Sequence, residues 1–114
     1  SFGETLPAAI FVTSEAWIDN HPTIVQNIID AHEEAIDFIN ENESEAIDLT
    51  IEGIHDVTGQ ELEREIMENA WTRTFFQADV DEEVIQEFGD ASFDLKFLKE
   101  EPDFSNFVDK QFLN

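Results

Sequence analysis

A chain of 114 residues with 28 acidic and only 5 basic side chains carries a formal charge of −23, which argues against binding nucleic acid through its phosphates. Its 41% hydrophobic content and 11 phenylalanines are too much apolar side chain for a disordered acidic tail. Without cysteine it has no disulfide framework, thiolate nucleophile or zinc-finger site, and no apolar run approaches the ~20 residues of a membrane-spanning helix.

The length suits one domain with a modest core. Ser1-Phe2-Gly3, lacking an initiator Met or a signal peptide, reads as a cut within a longer protein. The acids are spread over every predicted helix instead of forming one block. Such a density strains a compact state by self-repulsion, and salt relieves the strain as the screening length shrinks to about 3 Å at molar ionic strength. Adaptation to high salt accounts for the spread. An acidic surface that mimics nucleic acid or binds a basic protein would instead place its carboxylates on one face.

In chain order, Leu6 and Ala8 to Val12 form a nearly continuous apolar run bounded by Pro7 and Thr13-Ser14, which predicts a short strand buried on both faces. Ser14 is placed to cap a brief helix, with Glu15 near its positive end. Pro22 disfavours helical geometry at His21 but suits the first turn of a second helix. That helix carries Ile24, Ile28, Ala31, Ala35 and Phe38 on one stripe, flanked by Val25, Ile29, His32, Ile36 and Ile39. Gln26, Asp30, Glu33, Asp37 and Asn40 face water. It ends in Asn40-Glu41-Asn42. Ser44-Glu45 opens a short helix with Ala46, Ile47 and Ile51 inward and Gly53 as its stop.

Thr58 and Glu61 then read as a T-x-x-E capping box, ahead of Leu62, Ile66, Met67, Ala70 and Trp71 at helical spacing. Arg64 lies within reach of Glu61 and Glu68 on that helix. Thr72 to Val80 loses the period, and Phe75-Phe76 mark an irregular connection packed on the core. Asp81 starts a helix whose stripe Val84, Phe88, Ala91, Leu95 and Leu98 continues past Gly89, where a close helix contact or a bend is expected. Pro102 closes it, and Phe104, Phe107, Val108, Phe112 and Leu113 predict a docked last short helix.

Little here carries chemistry. His32-Glu33-Glu34 with Asp37 could be imagined as a metal cluster, but His32 borders the apolar stripe while Glu33 and Asp37 face away, so no metal site is expected. His21 and His55 sit at predicted helix boundaries, and no H-E-x-x-H spacing occurs. Carboxylate pairs are too numerous for proximity to indicate acid-base catalysis. Ser14, Ser44, Ser92 and Ser105 lack a glycine-flanked nucleophile context. Trp71 reads as core, and Trp17 as either core or a stacking surface for a ligand.

The run PAAIFVTSEAWIDNHPTIVQNIIDAHEEAIDFINENESEAIDL resembles the later part of substrate-binding proteins of ABC importers in the nitrate, sulfonate, taurine and thiamine-precursor group. The ending EPDFSNFVDKQFLN is similar to that family's closing phrase, a Pro-Asp-hydrophobic-Ser turn before Val-Asp and a hydrophobic terminus. TGQELEREIMENAW and the helix from Asp81 fall where the family places its late helices. Trp17-Ile18 departs from it, since Phe-Leu is usual there, and so does the chain's much shorter length.

The resemblance implies an α+β, mostly α fold, a partial type II periplasmic binding protein-like fold. Residues 1–13 would be the strand and hinge region, and residues 14–114 a helical part of about five helices. It also implies the solute-binding component of an ABC importer, with no catalysis and no cofactor. Its solute would be a small anion such as nitrate, sulfonate or taurine, or a thiamine precursor. The parent would bind that solute between lobes, where helix N-termini and backbone amides favour anions, and hand it to an ABC permease. Its location would be extracytoplasmic, periplasmic or anchored at the cell surface. Phe2, Glu4 and Thr5, nearest the expected cleft, and Trp17 are the candidate solute-binding residues. Alone, the chain is expected to bind little solute and to be able to form a homodimer through apolar surface that an absent lobe would cover. Two other classes are an acidic helical interaction module for a basic protein partner and, third, a small enzyme, which would need converging groups of shifted pKa.

Overall fold

The computed structural model describes residues 6–114. It contains five helices: α1 (Glu15–Asn20), α2 (Pro22–Glu41), α3 (Glu43–Thr58), α4 (Arg64–Trp71) and α5 (Glu82–Asp94). No strand occurs among the described residues, so the expected α+β, type II periplasmic binding protein-like fold with an N-terminal strand is corrected to an all-helical one. Leu6–Val12 is irregular chain, with Ile10, Phe11 and Val12 44%, 57% and 67% exposed. A strand buried on both faces must pair its backbone groups with neighbouring strands. The other described residues are in helices, turns and irregular chain, so no ladder is on offer among them.

The chain divides into two compact units, one holding the residues up to Ile29 together with Asp79–Asn114, the other Asp30–Ala78. In the first, the Ser14 hydroxyl accepts from the Trp17 amide at 3.1 Å and starts α1, as its sequence predicts. α1 stops before Pro22, and the His21 ring lies 4.1 Å from that of Trp17. Val25 of α2 and Val84 of α5 are buried. Asp81 caps α5 by accepting from the amides of Glu83 (3.0 Å) and Val84 (3.4 Å).

The Gln86 side chain fastens the C-terminal segment to α5. Its amide donates to the Pro102 carbonyl at 2.8 Å and to Asp90 at 2.9 Å, while its oxygen accepts from the Phe104 amide at 3.1 Å. Gly89 is the buried point of approach: a Cβ there would lie 2.9 Å from Pro102 Cγ and nearer still to the Phe104 ring. The expected close contact is thus present, made by an irregular segment instead of a helix.

Two expectations in this unit are not met. α5 ends at Asp94 instead of running to Leu98. Lys96 turns into the left-handed region (φ 65°), its amide donating to Phe93 O (2.9 Å) and that of Phe97 to Ser92 O (2.9 Å). Leu95 and Leu98 are left 69% and 40% exposed. The final apolar stretch docks as turns, not a helix: Asp103 accepts from the Ser105 amide (2.9 Å) and Asp109 from that of Gln111 (3.0 Å), closing short turns that no run of helical bonds continues. Phe104 meets Phe107 edge to face at 5.4 Å, and the Gln26 amide donates to Phe112 O at 2.8 Å. Lys110 is paired with Asp79 (2.8 Å) and Glu82 (3.6 Å).

In the second unit Ile36, Ala46 and Ile47 are buried, Ile47 to 2% exposure. α3 does not stop at Gly53. It runs on to Thr58 and ends at Gly59, whose φ of 73° is the left-handed turn that glycine allows, with its amide donating to His55 O at 2.7 Å. This later stop dissolves the expected capping box. Thr58 belongs to the last turn of α3, its hydroxyl donating to Ile54 O (2.7 Å) and accepting from the Gln60 amide (3.1 Å).

α4 packs on α3 and is tied to it by Arg64. The guanidinium bonds Glu68 on its own helix (2.8 Å), Asp48 of α3, and the Ser44 hydroxyl (2.9 Å); Glu61, expected as a partner, is not among them. After α4, Phe76 packs 5.0 Å from Trp71 and its carbonyl accepts from Asn40 (3.1 Å), while Phe75 points out, 68% exposed.

Candidate functional site

Burial on α2 falls to one side of the stripe the sequence places at its centre. Val25 and Ile36 are buried and Ile29 and Ile39 half-buried, whereas Ile24, Ile28, Ala31, Ala35 and Phe38 are exposed. Each helical residue is turned about 100° from the last, so moving the buried line from positions 24 and 28 to 25 and 29 leaves the apolar stripe beside it open.

Within Asp30–Ala78 this open stripe is one wall of an apolar groove of about 580 Å³. Ala31, Ala35, Phe38 and Ile39 of α2 face Ala46, Leu49 and Thr50 of α3 across it, and Glu34 is the one charged residue in the lining. Phe38 and Leu49 stand 37% and 52% exposed beside the alanines. The Thr50 hydroxyl is spent on Ala46 O at 2.8 Å, so the groove offers apolar contact and no nucleophile paired with a base. Leu49 was on no predicted face. The spacing Ala46, Leu49, Thr50, Gly53 would have placed it, once α3 was known to pass Gly53.

Acidic side chains occur on all five helices, and none is buried among the described residues. Two acids are held below their ordinary range. The Lys110 ammonium holds the Asp79 carboxyl below the usual carboxylate range, and Asp79 in turn raises Lys110. The Ser105 amide likewise lowers Asp103.

Of the candidate solute-binding residues, Phe2, Glu4 and Thr5 lie outside the described residues. Trp17 is 42% exposed on α1, in the other unit from the groove, with one side of its ring against His21. No three His, Cys, Asp or Glu side chains converge to hold a metal ion among the described residues, and His32 with Glu33, Glu34 and Asp37 forms no such cluster. No helix among them is long and apolar enough to cross a membrane. No protein-family model, curated protein or solved structure matches the chain.

Proposed function

We propose that this chain is the C-terminal helical portion of the solute-binding component of an ABC importer, with no catalytic role. The solute is a small anion such as nitrate, sulfonate or taurine, or a thiamine precursor, and the partner is a permease met outside the cytoplasm. The reading rests on the phrases running from Pro7 to Leu49 and from Glu101 to Asn114. The structural observation that carries it is the uncovered apolar surface: the Ile24–Phe38 stripe of α2 and the exposed Ile10-Phe11-Val12 segment are what an adjoining part of a larger protein would cover. The spread of acid fits a protein that works in concentrated salt, where screening lets an anion approach a strongly negative chain.

Calorimetric titration of the full product of the reading frame in molar KCl tests this, with nitrate, taurine, an alkanesulfonate and a thiamine precursor as ligands. Saturable micromolar binding of one of them is expected, and no binding to the 114-residue chain alone. Tight binding by the short chain, or none by the long one across the panel, would refute the proposal.

A further inference from the structure

A second concavity, of about 440 Å³, lies between the C-terminal end of α2, the start of α3 and the segment after α4. Its apolar surface comes from Ile39 and from the aromatic rings of Trp71, Phe75 and Phe76, of which Trp71 and Phe76 are half-buried. Its threonines have spent their hydrogens. The hydroxyl of Thr72 donates to Asn69 O (2.7 Å) and that of Thr74 to Ala70 O (2.9 Å), while the Asn40 amide donates to Phe76 O (3.1 Å). What the two threonines present to an incoming molecule is oxygen lone pairs, whereas Asn40 keeps a second N–H beside its carbonyl and Gln77 adds an amide that both donates and accepts. Glu43 adds a carboxylate, and no Lys, Arg or His lines the space.

The threonine acceptors, the Glu43 carboxylate and the aromatic faces, set in a chain of charge −23, favour a positively charged donor over an anion. We propose that this pocket binds a small organic ammonium ion, its N–H groups directed to Glu43, Asn40 and the threonine oxygens and its carbon chain lying against Trp71. The inference is independent of the importer reading, whose solutes are chiefly anionic and whose cleft lies elsewhere.

Proton–nitrogen NMR of the full 114-residue chain tests it at constant molar ionic strength, with propylammonium chloride as the probe. The chain has two tryptophans, so the Trp17 indole serves as an internal control. Saturable millimolar shifts of the Trp71 indole and of the Thr72 and Thr74 amides are expected, with Trp17 unmoved. Glu43→Gln should weaken binding at least tenfold, and propionate should produce no shifts. Equal shifts with 1-propanol would reduce the pocket to an apolar crevice and overturn the proposal. So would shifts that survive Glu43→Gln unchanged, or no shifts at all.

Discussion

Gly53 and Gly89 are both helical glycines, and their surroundings give the same substitution opposite signs. Around Gly53 a Cβ meets nothing within 4 Å, so Gly53→Ala should gain up to about 1 kcal/mol from helix propensity alone. At Gly89 the new methyl would press into Pro102 and Phe104. Overpacking costs typically ~1–3 kcal/mol, so Gly89→Ala should be destabilising on balance. Denaturant midpoints of the two variants should move in opposite directions, and a shift of the same sign would show the Gln86-fastened segment to be absent in solution. Lys96 is a third such case, a side chain held at φ 65° where glycine is at ease. Lys96→Gly should raise the midpoint by up to about 1 kcal/mol, the relief of left-handed strain being partly offset by greater freedom in the unfolded chain. That Gly89 marked a close approach was legible because a glycine inside a helix is costly without a reason, though a helix was the neighbour expected. What approached was not, because Pro102 and Phe104 reach it through side-chain bonds from Gln86 that leave no periodic trace.

Helix starts carry their own chemistry, and most are legible in the sequence, the expected Thr58–Glu61 capping box being the exception. Ser14, Pro22 and Asp81 each stand at or beside the start of a helix, where an unpaired amide needs an oxygen or a missing amide proton costs nothing. Asp81→Ala should therefore cost ~1 kcal/mol and Asp81→Asn much less, since asparagine caps comparably; thermal melts followed by circular dichroism separate the two. Stops were read less well. Gly53 looked like an end because glycine is a poor helix former, yet α3 passes it and waits for Gly59, the position that takes a left-handed turn. The Leu6–Val12 strand is missing for another reason, since it depends on a ladder partner that hydrophobic pattern does not reveal, and the last short helix gives way to turns at Asp103 and Asp109. Arg64→Gln tests a bond the sequence half revealed. Amide exchange should quicken throughout α4 while α5 is unchanged, because the lost bonds join α4 to Asp48 and Ser44.

For the molecule as a whole, charge sets the conditions under which it folds. Melting temperature should rise steadily with KCl up to molar concentration, and a flat response would refute the salt argument. Acid acts in two directions. Mild acidification removes negative charge and should stabilise. Asp79 and Asp103, held below their ordinary range, contribute stability that is present above about pH 4 and lost as pH falls through their lowered values, so stability should turn over at the acid end. Lys110 is raised, so its contribution is complete below its ordinary value near 10.5 and is lost as pH rises beyond it. Melts between pH 2 and 11 should therefore show a broad maximum on the acid side of neutrality, and Lys110→Gln should weaken both falling limbs. The few cations also fix where a lysine- and arginine-specific protease can cut. Arg64 and Lys110 are engaged in ion pairs and Arg73 is exposed in the turn after α4, while Lys96 and Lys99 lie in the exposed turn after α5. Limited trypsin should nick that turn early and yet not shed the piece beyond it. Gln86 still grips Pro102 and Phe104, and Gln26 still holds Phe112, so the cut chain should migrate as one species until it is denatured.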